Sequence, residues 1–103
     1  MSEFLLSINT PDGKVFEGQV ESLKAHGFEG YLGILKGHAP TLTALKPGLM
    51  TTLFKEEKKI YALGEGVLEV SDSQAIILAD FARPVEREAE VSEILKIMKI
   101  KGL

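Results

Sequence analysis

Between Glu3 and Asp80 the chain is cut by turn chemistry into short apolar runs, and this rhythm limits its folding choices more than any other feature. Phe4, Leu6 and Ile8 alternate with Leu5, Ser7 and Asn9, the period of a strand with one buried face. That run ends at Thr10-Pro11-Asp12-Gly13, where proline and glycine are placed to reverse the chain, so a hairpin into residues 14–24 is predicted. Later runs at 41–46, 49–54, 60–63, 67–70 and 74–79 are bounded by Lys46-Pro47-Gly48, a charged loop at 55–59, Gly64-Glu65-Gly66 and Ser71-Asp72-Ser73. Strands this short at this spacing predict a mainly β domain, an antiparallel sandwich or barrel. Ile76, Ile77 and Leu78 are continuous rather than alternating, which predicts a strand covered on both faces, by the core or by a partner.

After Ala79 the pattern changes. Pro84 suits the first turn of a helix, and Glu86, Glu88, Glu90 and Glu93 sit toward its positive end. Lys96, Lys99 and Lys101 gather toward the negative end, with Gly102 as a stop. Val91, Ile94, Leu95 and Met98 make an apolar stripe that Ile97 and Ile100 widen, predicting one amphipathic helix of about four to five turns. The expected division is a β-sandwich over 1–83 and a short C-terminal α-helix over 84–103. So short a helix must dock its stripe, by expectation on the same chain's sandwich, with a partner surface or self-association as alternatives.

A chain of 103 residues has room for one core. Its net charge of −3 has the wrong sign for binding a phosphate backbone or an anionic membrane, so no nucleic-acid partner is expected. There is no cysteine, which suits a reducing compartment. The first nine residues carry neither a basic segment nor a long apolar run, so no signal peptide or membrane insertion is expected and membrane association would come through a partner.

The chemistry of a catalytic or cofactor site is not found. His26 and His38 stand twelve residues apart, without close metal-ligand spacing, and no metal site is expected. His38 beside Ala39-Pro40 has no neighbouring serine or carboxylate to make a recognisable triad, and reads as a turn or interface residue. Gly27, Gly30, Gly33 and Gly37 precede His38 and not the Lys-Ser/Thr of a phosphate loop, so they imply unusual backbone angles or close approach of chains. Glu29 in Gly27-Phe28-Glu29-Gly30 would repel the nucleic-acid backbone that a KH-type loop clamps. Gly64-Glu65-Gly66 fails the dinucleotide fingerprint because Glu69 stands at the third glycine position. Neither cofactors nor catalytic residues are expected.

Two segments nevertheless carry a specific pattern, residues 27–48 (GFEGYLGILKGHAPTLTALKPG) and 64–70 (GEGVLEV). The first resembles the G-x-x-G-x-L-G-I-L-x-x-H-A-P-x-x-x-x-L-x-P-G pattern of the epsilon subunit family of rotary ATP synthases, called delta in mitochondria. Val15-Phe16-Glu17-Gly18 with Val20-Glu21, and Ile76-Ile77-Leu78-Ala79-Asp80, resemble further family stretches in the same order, so the likeness runs from residue 4 to about 83. The resemblance implies a ten-stranded sandwich of two sheets at the foot of the rotating stalk, between the gamma subunit and the ring of c subunits. It implies a non-catalytic part that passes torque from ion flow through the ring to gamma, peripheral on the cytoplasmic face of the bacterial inner membrane and monomeric when isolated.

By the same resemblance Thr10, His38 and Thr43 match positions that face gamma, and Glu29 and Tyr31 lie in the loop that approaches the ring. Relatives commonly carry glutamate at the position of Tyr31, where a tyrosine offers stacking area and one hydroxyl in place of a charge. They also commonly continue into a hairpin of two helices that restrains ATP hydrolysis, for which the residues after Arg83 are too few. Inhibition by that long reach is therefore expected to be weak or absent. Arg87-Glu88-Ala89 does not meet the family's I/L-D-x-x-R-A motif, so no ATP binding is expected. The competing readings are a small-ligand-binding sandwich, disfavoured by the absence of tryptophan, and a hydrolase acting through His38.

Overall fold

The computed structural model describes residues 3–100. Ten strands and one helix follow in chain order: β1 (Phe4–Thr10), β2 (Gly13–Val20), β3 (Ser22–Gly27), β4 (Gly30–Leu35), β5 (Thr41–Leu45), β6 (Gly48–Phe54), β7 (Glu57–Leu63), β8 (Gly66–Ser71), β9 (Gln74–Ala79), β10 (Ala82–Val85) and α1 (Ala89–Ile100). They form one sheet in the order β10-β7-β6-β3-β5-β8-β9-β1-β2, with β4 paired along β3. All pairings are antiparallel except β1 with β9, which run parallel.

Among the described residues, β3 and β5 join at the one pair Gly27↔Leu45. The sheet folds there, and its two halves close their inner faces on one core, so the expected sandwich is a nearly closed sheet bent on itself. Leu6 and Ile8 of β1, Leu23 of β3, Met50 of β6, Leu68 of β8 and Ile77 of β9 are fully buried in it. The alternation read in β1 is the cause, since each inward residue removes an apolar side chain from water.

The turns follow the sequence closely. Phe28 and Glu29 link β3 to β4, and Gly30 takes φ +118°, a backbone region costly for any residue with a β-carbon. The expected charged loop at 55–59 tightens to the two residues Lys55 and Glu56, both with positive φ, and Glu57 already begins β7. Gly66 is required by close approach: a β-carbon there would lie 2.2 Å from Leu78 O and 2.8 Å from Ala79 Cα.

Two expectations are corrected. Pro84 does not open the helix. It lies in β10 opposite Tyr61, at the end of the strand order, where an edge strand tolerates the missing N–H. The helix begins at Ala89, with Glu90 Oε2 accepting from Arg87 N at 3.0 Å in the manner of a capping box. Its described length is 12 residues, about three turns. Lys101, Gly102 and the side chain of Ile100 lie outside the described residues.

The second correction concerns residues 76–78, where cover of both faces by this chain's own core is not found and the alternative of a partner is left standing. Ile77 is fully buried but Leu78 is 55% exposed, so β9 alternates and has its core on one side only.

The helix docks on its own sandwich, against β7 and β6. Val91 is buried, Ile94, Leu95 and Met98 are half-buried, and Ile97 faces outward.

Candidate functional site

On the inner side of the second half-sheet, Thr43, Leu68, Ile77 and Ile8 form one cross-strand row. Side chains alternate along a strand, so the neighbours of that row form the outer face: Leu42 and Ala44 on β5, Val67 and Glu69 on β8, Ile76 and Leu78 on β9, Ser7 and Asn9 on β1. Val67 pairs directly with Leu78, and Ala44 with Val67. Leu42 is 74% exposed, Leu78 55% and Val67 38%. A sheet with one wet face should carry polar residues there, and a contiguous apolar patch on such a face marks an interaction surface. Asn9 and Ser7 form its polar rim, Asn9 Nδ2 donating to Ser7 Oγ at 2.9 Å.

The strand register places each residue singled out from the sequence. Thr10 follows Asn9, whose ladder runs through Leu78 and Val67 to Ala44, next to the Leu45↔Gly27 junction. Thr10 and the β3–β4 turn with Glu29 and Tyr31 therefore share one end of the molecule. His38 precedes Thr41, whose ladder runs through Val70 and Ala75 to Leu6, toward the opposite end. Thr43 lies between, on the inner side of β5, and opens with Phe28, Glu29 and Tyr31 onto one crevice of about 400 Å³. The structure thus gathers Thr43, Glu29 and Tyr31, leaves Thr10 at the same end, and sets His38 apart.

Each of these residues also has local bonding. Thr10 Oγ1 accepts from Asp12 N at 3.1 Å and donates to Gly13 O at 3.2 Å, which closes the β1–β2 turn. His38 N donates to Leu35 O at 3.0 Å. Its Nδ1 lies 2.8 Å from Ala39 O, an acceptor, so that nitrogen carries the proton and Nε2 points away from the bond. Thr41 Oγ1 donates to the same carbonyl at 2.9 Å. These are the contacts of a turn, not of a base aligned on a nucleophile.

The β3–β4 hairpin ends in exposed aromatics, Phe28 at 54% and Tyr31 at 62%. Tyr31 stacks on His26, a contact that sequence reasoning missed although the two-residue turn between Gly27 and Gly30 sets His26 opposite Tyr31. A groove of about 510 Å³ runs from Tyr31 and Lys24 past Thr51 to Lys58 and Glu88, with Tyr31 as its aromatic wall. Among the described residues no cluster of three or more histidine, aspartate or glutamate side chains is arranged to hold a metal. No described helix is long and apolar enough to cross a membrane.

The family model described as ATP synthase, Delta/Epsilon chain, beta-sandwich domain, matches residues 3–85. The ATP synthase epsilon chain 2 of Nitrobacter hamburgensis is 37% identical over 86 residues, covering 84% of this chain and 63% of the relative. The chain thus spans just under two thirds of that relative's length. Among solved structures, a chain of the Euglena gracilis mitochondrial ATP synthase assembly of OSCP, F1 and c-ring shares the fold at TM-score 0.77 and 22% identity, over 96% of this chain and 65% of that one. A chain of the Tetrahymena thermophila mitochondrial ATP synthase central stalk and c-ring does so at TM-score 0.66 and 19% identity, over 76% and 63%.

Proposed function

Because the chain belongs to the ATP synthase delta/epsilon chain family through its β-sandwich domain, we propose that it is a central-stalk subunit without a catalytic site of its own. In this reading the outer face with Leu42, Val67 and Leu78 lies against the gamma shaft, with Thr10 and His38 at its two ends, while Thr43 reaches gamma from the other side of β5, through the crevice it shares with Glu29 and Tyr31. Glu29 and Tyr31, on the β3–β4 turn, approach the ring of c subunits. Torque from ion flow through the ring passes across the sandwich to gamma, which drives ATP synthesis elsewhere. A densely packed core suits that work, because it transmits strain with little give. The working place is the cytoplasmic face of a bacterial plasma membrane, reached through the complex, which the bacterial relative supports.

The observation that carries this reading is the apolar outer face, which would be a solubility liability on a free monomer. The helix held on β6 and β7 supports a compact coupling element rather than an arm laid along the shaft. The test is a binding assay with purified gamma, comparing wild type with Leu78→Asp and His38→Glu. Saturable binding weakened by Leu78→Asp is expected. A correctly folded chain that fails to bind gamma would overturn the assignment of the face and the role together.

A further inference from the structure

Between β2 and the β6–β7 hairpin the two halves of the bent sheet face one another without a shared hydrogen-bond ladder, since among the described residues β2 pairs with β1 alone. A cleft of about 230 Å³ lies in this seam. Register decides which side chains enter it. Phe16, Gly18 and Val20 stand opposite the inward residues Ile8, Leu6 and Phe4, so they point inward from β2. A β-carbon on Gly18 would come within 3.1 Å of Phe16 Cζ, so the Phe16 ring lies over bare backbone. On the other half, Thr52 stands between Leu23 of β3 and Lys59 of β7 in one cross-strand row, and Phe54 stands opposite Glu57. Leu23 is buried in the core, so this row also faces inward, with Lys59 at the mouth of the cleft.

Two groups in this apolar setting lack a polar partner. Thr52 is only 4% exposed, yet its hydroxyl makes no hydrogen bond among the described residues. No side-chain oxygen sealed from solvent is left unsatisfied among those residues, so the hydroxyl is reached from outside, and the inward direction of its row puts it in this cleft. A hydroxyl held there unpaired costs free energy that a methyl group of the same shape would not. Lys59 makes no ion pair among the described residues, and its ammonium reaches across the seam to within 4.9 Å of the Phe16 centroid.

Residues directly opposite on an antiparallel pair have β-carbons about 5 Å apart, so the Thr52 hydroxyl and the Lys59 ammonium are neighbouring donors. Side by side, they match the two oxygens of a carboxylate. Phe16, Val20 and Phe54 supply apolar walls for the rest of the ligand, and the volume is below the range of drug-sized sites, enough for about one ring. Glu57 on the same rim disfavours a dianion such as phosphate.

We propose that the seam between β2 and the β6–β7 hairpin is a binding site for a small aromatic monocarboxylate, whose carboxylate accepts from Thr52 and Lys59. The site lies the length of β6 away from Gly48 and His26, about 20 Å, and does not depend on the contacts with gamma or the ring.

The test is an NMR titration of the full chain with phenylacetate, followed at the backbone amides. Shifts that saturate with a Kd of about 1 mM, a range open to so small a ligand, are expected at Val20, Thr52, Phe54 and Lys59 and not at Glu29 or Tyr31. Phenethylammonium, the same ring with the opposite charge, should bind at least about tenfold more weakly. Thr52→Val, which keeps the shape and removes the hydroxyl, should weaken phenylacetate binding about 3–10-fold without lowering the melting temperature. Thr52→Ser, which keeps the hydroxyl, should bind as wild type does. Lys59→Gln, at an exposed position, should weaken binding by about 3–10-fold as well. No saturable shift up to about 20 mM phenylacetate overturns the site. Equal binding of phenethylammonium overturns the carboxylate assignment, and undiminished binding in both Thr52→Val and Lys59→Gln overturns the pair of donors.

Discussion

Lys58 Nζ lies 3.0 Å from Glu88 Oε2, an ion pair that ties β7 to the residue just before α1. Both side chains are about half exposed, so screening and side-chain entropy leave the pair at most about 1 kcal/mol. Val91, one turn on, is buried. Apolar burial therefore decides helix docking. Val91→Ala should lower stability by about 1–3 kcal/mol and raise amide exchange across α1, whereas Lys58→Ala should change either by little. Urea unfolding with hydrogen exchange checks this, and a helix released by Lys58→Ala alone would reverse the ranking.

Gly64 and Gly66 bracket the β7–β8 turn but differ in what a methyl group would strike. At Gly66 the obstacle is backbone, Leu78 O and Ala79 Cα, which cannot move without breaking the β8–β9 ladder. At Gly64 it is the Asp80 carboxylate, nominally 1.8 Å away, and the Phe81 ring, which can swing aside. Gly66→Ala should therefore be destabilising at or beyond the upper end of the about 1–3 kcal/mol typical of overpacking, and Gly64→Ala milder. Thermal unfolding of the two variants separates them; equal losses would mean that the Asp80 side chain is as immovable as backbone.

Burial holds the Tyr61 phenol above its ordinary pKa of about 10. A folded-state value above the unfolded one means that the folded chain keeps a proton that the unfolded chain releases. The contribution is full below about pH 10 and is lost as pH rises through the folded value. As pH rises above about 10, wild type should lose stability more steeply than Tyr61→Phe, read from urea midpoints at stepped pH. Parallel pH profiles for the two proteins would remove Tyr61 as the cause.

Leu78 is exposed beside Val67 on the outer face, so its replacement should spare the fold. Leu78→Asp is expected to leave the melting temperature within a few degrees of wild type and to weaken gamma binding by about tenfold or more, in keeping with a central interface residue. Isothermal titration together with a melt tests both halves. Unaltered binding would move the shaft contact off this face.

Much of the fold was legible because it is written in local terms. The alternation of Phe4, Leu6 and Ile8 set the inward face of β1, and Gly30, with its positive φ, marked a turn that other residues adopt with strain. Of the candidate site, the residues came from resemblance and their grouping from the structure. Thr43 joins Glu29 and Tyr31 around one crevice, while His38 lies toward the opposite end, because β5 runs from one end of the sandwich to the other.

One reading failed, and another was narrowed to one of its alternatives, where a distant strand decides. Pro84 looks like a helix start when judged by its neighbours, but Tyr61 of β7 accepts it as an edge-strand partner, and edges are a property of the assembled sheet. The run at residues 76–78 looks like a doubly covered strand, yet whether Leu78 is covered depends on which strands flank β9 and what lies over them. The sequence by itself determined β1, the runs that became β5 to β9, most of the turns, the amphipathic tail and the family, since these follow from periodicity, backbone sterics and spacing along the chain; the break between β2 and β3, and the strands β4 and β10, it did not mark. Tertiary structure alone decided the exposed apolar face and the docking of α1, because each depends on strands that are far apart in sequence and meet only when the sheet closes.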